Sequence, residues 1–248
     1  MVVKKFLVAV QFLTVIPIPK GIKIEEKDLA GSGVFFPLVG LLIGGILILI
    51  AISLRKFLPA LIINLLLLLV WVGIAGGLHL DGLADTVDGL SGGKDREEIL
   101  RIMADSNLGA KGAVVLILLL GTKFLFLCQL PCSYRNYALL FAPLAGRWAM
   151  VLAAASLPYA KEEGLGKIFV KSSGLKETII ASLVVIVLGF FLFKTFLLYP
   201  FFGILLITFL LLAIFKRRIG GITGDNLGAI NEIIEVVSLL IIILGNSS

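Results

Sequence analysis

The sequence predicts an all-α, polytopic integral membrane protein, with residues 1–248 forming a single transmembrane helical domain. Three observations predict it. Charged residues make up 15% of the chain, hydrophobic residues 59%, and mean hydropathy is +1.12, whereas a soluble domain carries about 25% charged residues. Several apolar runs reach the ~20 residues needed to cross a hydrocarbon core. Lysine and arginine are also shared unequally between alternate loops, as the positive-inside rule requires.

The elements follow in order. Phe6–Ile18 is apolar but short, and it ends in Pro17 and Pro19. It reads as an interfacial or re-entrant segment rather than a signal peptide, because prolines stand where a small-residue cleavage site belongs. About seven spans follow, at 33–54, 60–78, 113–130, 137–158, 177–193, 197–215 and 227–245. The last is unusual in carrying Glu232 and Glu235. If the N-terminus and the loop near residue 25 share a side, that side holds 16 of the 22 lysines and arginines, and the other side holds 4. Lys123 and Arg147 fall inside spans. The richer side is therefore cytoplasmic, and the net charge of +6 is a topology signal. The implied partner is a lipid bilayer. No nucleic acid is implied, since no basic, aromatic-interleaved module is present. Cys128 and Cys132 do not make a structural zinc site; they form a disulfide or serve as two small hydrophobes.

The polar stretches at about 79–112, 160–176 and 216–226 all fall on the cytoplasmic side. The first is the candidate catalytic loop. It opens with His79-Leu80-Asp81-Gly82-Leu83-Ala84-Asp85-Thr86-Val87-Asp88-Gly89. A helix puts Asp81, Asp85 and Asp88 on one face, where their charges repel. A divalent cation relieves the repulsion, and carboxylate oxygens suit Mg²⁺ or Mn²⁺. After Ser91-Gly92-Gly93, residues 94–103 read as a short amphipathic helix carrying Arg96 and Arg101. Asp105-Ser106-Asn107-Leu108-Gly109-Ala110-Lys111-Gly112 then leads into the next span. Arginine grips phosphate bidentately, and a helix N-terminus offers free N–H groups to an anion. The ordinary readings are a helix cap at Asp105 or Ser106 and a positive-inside face at Arg96 and Arg101.

A second constellation is Gly220-Gly221-Ile222-Thr223-Gly224-Asp225-Asn226-Leu227-Gly228-Ala229-Ile230-Asn231-Glu232. Asn-Leu-Gly-Ala occurs at 107–110 and again at 226–229, each time opening an apolar helix on the same side. Asp225 and Glu232 share a helix face. They join the aspartate cluster around a second metal, or they pair with the intramembrane Lys123 or Arg147. Arg147 marks a polar cavity or a buried ion pair. His79, the only histidine, is a base, a ligand or a simple hydrogen-bonded residue.

At these residues the chain resembles the cobalamin synthase family, adenosylcobinamide-GDP ribazoletransferases. The resemblance rests on Gly77-Leu78-His79-Leu80-Asp81-Gly82-Leu83-Ala84-Asp85-Thr86 with Asp88-Gly89, and on Met103-Ala104-Asp105-Ser106 with Gly109-Ala110 and Gly112. Gln11-Phe12-Leu13-Thr14, Phe36-Pro37-Leu38-Val39-Gly40, Gly146-Arg147 and Thr223-Gly224-Asp225 with Gly228-Ala229 and Glu232 extend it over nearly the whole chain. The resemblance implies an enzyme of the cytoplasmic membrane that uses Mg²⁺. It joins adenosylcobinamide-GDP to α-ribazole or its 5′-phosphate, releasing GMP. The active site is expected to face the cytoplasm. Asp81, Asp85 and Asp88 are then expected to hold the metal, with Asp105, Glu232 and Asp88 in catalytic roles. Arg96, Arg101, Lys111, Asn107, Asp225, Asn226 and Arg147 are the expected substrate contacts. Asp85-x-x-Asp88-Gly89 also echoes the opening of the CDP-alcohol phosphotransferase motif, but the rest of that motif is missing. The remaining rival is an ion-coupled carrier using Arg147, Glu232 and Glu235.

Overall fold

The structure, a computed structural model, describes residues 2–19, 26–164, 166–193 and 198–245. Lys20, Lys23 and Lys194, which enter the charge count, lie outside the described residues. The described residues form eleven α-helices: α1 (Val2–Leu13), α2 (Phe36–Leu54), α3 (Ala60–Ile74), α4 (Leu78–Gly92), α5 (Arg96–Ile102), α6 (Ala110–Gln129), α7 (Arg135–Ser156), α8 (Gly166–Ser172), α9 (Leu175–Phe193), α10 (Leu198–Ile219) and α11 (Gly224–Leu244). Their only β feature is an isolated bridge between Tyr159 and Ile222. Five helices are long and apolar enough to cross a membrane, or up to seven if two bent pairs each count as one span. The seven spans expected from hydropathy correspond to α2, α3, α6, α7, α9, α10 and α11.

The bundle is built around α7 and α11, which bury most of their length. The close packing of α2 on α7 depends on small residues. A Cβ at Gly44 would stand 2.5 Å from the Leu139 carbonyl oxygen, and one at Gly40 would strike the Pro143–Leu144 backbone. In lipid, where helices gain nothing from hydrophobic exclusion, such contact is the main adhesive. The first short helix, α1, has 12 residues and reaches only about 18 Å, less than the hydrocarbon thickness. It buries Val8, Ala9, Val10 and Leu13. Its Phe12 ring stacks on Phe36 at 5.9 Å.

The second span, α3, is shorter than its hydropathy suggested. It ends at Ile74, and α4 leaves it at 82°. Gly76 and Gly77 make that corner at φ +62° and +72°, a region other residues enter only with strain. Aspartates therefore begin a new helix instead of extending a membrane span.

The segments assigned to one side by lysine and arginine count meet at one end of the bundle. Arg96 donates to the carbonyls of Ile219 (2.9 Å) and Ala160 (3.0 Å). Arg218 donates to Leu90 and Gly93, both at 3.0 Å. At the opposite end Arg135 donates to Asn64, and Asn64 to Cys128. Cys128 and Cys132 are both free thiols and exposed.

Candidate functional site

The chain reads Asp81, Asp85 and Asp88 off one face of α4 because the opposite face, through His79, Gly82, Leu83 and Thr86, is buried. That buried face crosses the first turns of α11, and two glycines make the crossing. A Cβ at Gly82 would lie 2.8 Å from the Asp225 backbone, and one at Gly228 would lie 3.0 Å from His79 Cα. Asn226 donates to the Thr86 hydroxyl (3.1 Å) across the same contact. The two sequence constellations thus lie against each other, and Asp225 comes beside the α4 acids.

Electrostatically this is a surplus of negative charge. The carboxylate of Asp85 is half-buried and is opposed by the charges of Asp81, Asp225 and Asp88. Lys161, which donates to Asp225 at 2.7 Å, offsets them only in part. The groove opens into a cavity of about 310 Å³ lined by residues that include Phe12, His79, Asp81, Met150, Tyr159, Lys161, Glu163 and Asp225. The His79 Nε2 is buried there without a hydrogen-bond partner. Burial, reinforced by the charge of Asp225, raises the Tyr159 hydroxyl above the usual tyrosine range. A second, open cavity of about 450 Å³ shares Tyr159 and Lys161 and adds Lys167 and Lys171.

The expected site residues divide. Asp81, Asp85 and Asp225 come together. Asp88 serves the fold instead, since its two carboxylate oxygens accept from Gly109 N (2.9 Å) and Gly112 N (2.8 Å). The anion at the first Asn-Leu-Gly-Ala helix start is therefore the chain's own. The second start is closed by a capping box between Thr223 and Asn226, which leaves Asn226 fully buried. Asp105 is exposed and binds the Asn107 backbone N–H (3.0 Å) and side chain (2.7 Å), which hold its carboxyl below the usual range. Neither Asp105 nor Asn107 lines the cavity. Arg96 is spent on backbone carbonyls, and Lys111 donates to Ser91 O (2.9 Å). The Arg101 side chain is 78% exposed, and its guanidinium stands 3.9 Å from the Glu98 carboxylate on the same helix.

Glu232 and Arg147 lie in a separate, buried cluster. Lys123 Nζ stands 2.9 Å from Glu232 and 2.5 Å from Glu235, and 4.6 Å above the Trp71 ring. Arg147 pairs with Glu235. Two cations meet two anions, so the structure realises the pairing alternative for Glu232. The charges on which a carrier reading depended are neutralised among themselves.

These positions fall within a match to known proteins that runs almost end to end. A family model described as cobalamin-5-phosphate synthase matches residues 5–243. The chain belongs to that family. A Clostridium botulinum (strain Langeland / NCTC 10281 / Type F) protein named adenosylcobinamide-GDP ribazoletransferase is 38% identical over 244 residues, 98% of each chain. Proteins of the same name from Acetivibrio thermocellus and Caldanaerobacter subterraneus subsp. tengcongensis are 36% and 37% identical, covering 97% and 96% of this chain and 98% and 96% of their own. No solved structure matches.

In this cobalamin-5-phosphate synthase family member, three polar cavity residues are not marked by any motif in the sequence: Tyr159, Lys161 and Glu163. They sit in the polar stretch between α7 and α8, where no periodicity marks which side chains turn inward. The one signal there was a lysine and two acids in one short loop on the acid-bearing side.

Among the described residues no three His, Cys, Asp or Glu side chains already converge on one metal-holding point. Mg²⁺ does not demand that. It is usually held by one or two carboxylates plus substrate phosphates, keeping several waters. Hard oxygen donors in a group that carries net negative charge, Asp81, Asp85 and Asp225 against Lys161, fit such an ion.

Proposed function

We propose that this chain transfers the adenosylcobinamide phosphate from adenosylcobinamide-GDP to α-ribazole or its 5′-phosphate, releasing GMP. We place the reaction at the groove between α4 and α11, facing the cytoplasm in the cytoplasmic membrane. The near full-length match to proteins named adenosylcobinamide-GDP ribazoletransferase carries the reading. The under-neutralised acids at one end of the bundle support it chemically.

Asp85 and Asp225 would hold Mg²⁺, which when bound neutralises charge on the diphosphate and on departing GMP. Asp81 is exposed at the cavity and takes the proton from the attacking ribazole hydroxyl. The new bond joins that hydroxyl oxygen to the cobinamide-side phosphorus; the bond that breaks is from that phosphorus to the bridging oxygen. Lys161 lies between the cavities and exchanges Asp225 for a substrate phosphate oxygen, while Lys167 and Lys171 attract phosphate from the open side. The buried walls around His79 and Leu227 exclude water, which would otherwise compete as nucleophile.

The test is purified protein in detergent with adenosylcobinamide-GDP, α-ribazole and Mg²⁺. GMP and the joined corrinoid are expected in equal amounts. GMP without joined product would mean hydrolysis, and neither would refute the transferase reading.

A further inference from the structure

The cavity suits one of the two substrates and not the other. Its volume, about 310 Å³, lies at the low end of ordinary small-molecule sites. A corrinoid macrocycle with its side chains is several times larger than a nucleoside, so it cannot enter. The lining also divides by chemistry. Phe12, Leu78, Met150 and Leu227 are apolar, with Met150 and Leu227 each only 2% exposed. Asp81, Lys161, Glu163 and Asp225, with His79 and Tyr159, make the polar part. Phe12 is held in place by rings: it stacks on Phe36 at 5.9 Å and lies 6.3 Å from Phe169, and those two stack at 4.5 Å. Phe12 from α1 and Tyr159 from the α7–α8 loop give the cavity two aromatic walls from distant parts of the chain.

We propose that this cavity is the acceptor subsite, taking a flat, apolar heteroaromatic base against Phe12, Met150 and Leu227, with the ribose toward Asp81 and Asp225. For a ribazole acceptor the base is the benzimidazole. Guanine, the other base of suitable size, has a polar edge that must be hydrogen-bonded when buried. Against the Phe12, Met150 and Leu227 face that edge finds no partner, and the polar groups of the cavity lie on the side given to the ribose, so the guanosine is assigned outside with the corrinoid. The assignment gives α1, too short to span, a role as the carrier of one wall. It rests on the transferase reading above.

The test is steady-state kinetics for both substrates in Phe12→Leu and Met150→Leu, with elution in detergent as the check on folding. The KM for α-ribazole is expected to rise roughly tenfold, the scale of a small shape change in an apolar pocket. The KM for adenosylcobinamide-GDP and kcat stay as in the wild type. With wild-type protein, a riboside bearing a polar purine should be a poorer acceptor by a similar factor. If Phe12→Leu does not fold, Met150→Leu and the acceptor series decide. The proposal is overturned if the donor KM rises instead, if neither KM moves, or if the purine riboside serves equally well. Absence of GMP release by the wild type would defeat the transferase reading instead, so the two failures are separable.

Discussion

Two groups of ionised side chains lie within one bundle and behave oppositely. The groove group (Asp81, Asp85 and Asp225, with Lys161) carries more negative than positive charge and opens to a cavity. The core group (Lys123, Arg147, Glu232 and Glu235) is balanced, two against two, and is almost fully buried. The same residue types serve in both. A charge that the fold has already neutralised holds helices together, whereas a charge it has left uncompensated at an accessible surface is available to a ligand. In this chain the second kind is where we place the reaction centre.

That contrast can be broken at either end. The largest effect is expected at Asp85→Asn, which should lower GMP release by ~100-fold or more, since even groups that only support metal ligands are worth 10–100-fold. The thermal midpoint in detergent should hold or rise, because Asp81, Asp88 and Asp225 all repel the carboxylate being removed. The core should respond the other way. Lys123→Met leaves Glu232 and Glu235 facing Arg147 alone and should cost about 3–5 kcal/mol of stability, read as a lower midpoint and poor recovery from membranes. Adding Glu232→Gln restores the balance and should recover part of that loss. An additive double variant would contradict the pairing.

Asp88→Asn sharpens the boundary between the groups. An asparagine cannot accept from both Gly109 N and Gly112 N, so α6 should lose a cap worth ~1 kcal/mol in thermal stability. GMP release should fall far less than in Asp85→Asn. The smallest effect belongs to Arg101→Ala: with the side chain in solvent, stability should stay within ~0.5 kcal/mol and turnover should be unchanged.

The fold was legible where the bilayer imposes a rule. Span length and apolar composition place α2, α6, α7 and α11 within a few residues, and the loop charges assign the ends. The acids of α4 were legible as a helix face because their spacing is periodic. What sequence could not show was partnership. Nothing local says that Glu232 meets Lys123 instead of Asp81, since that depends on how α6 and α11 pack. Gly82 and Gly228 look like ordinary glycines until the two helices cross on them. Asp88 kept its place but changed its role, because its partners are backbone N–H groups some twenty residues further on. Lys161 lies in a loop, where spacing carries no direction.

The most direct test of the groove as reaction centre is the Mg²⁺ dependence of GMP release in wild type and Asp225→Asn, a residue the α4 motif does not contain. If Asp225 and Asp85 share the ion, turnover requires Mg²⁺, and the variant either loses it or needs at least ~10-fold more Mg²⁺ for half its maximal rate. The same Mg²⁺ requirement in both proteins would contradict the account.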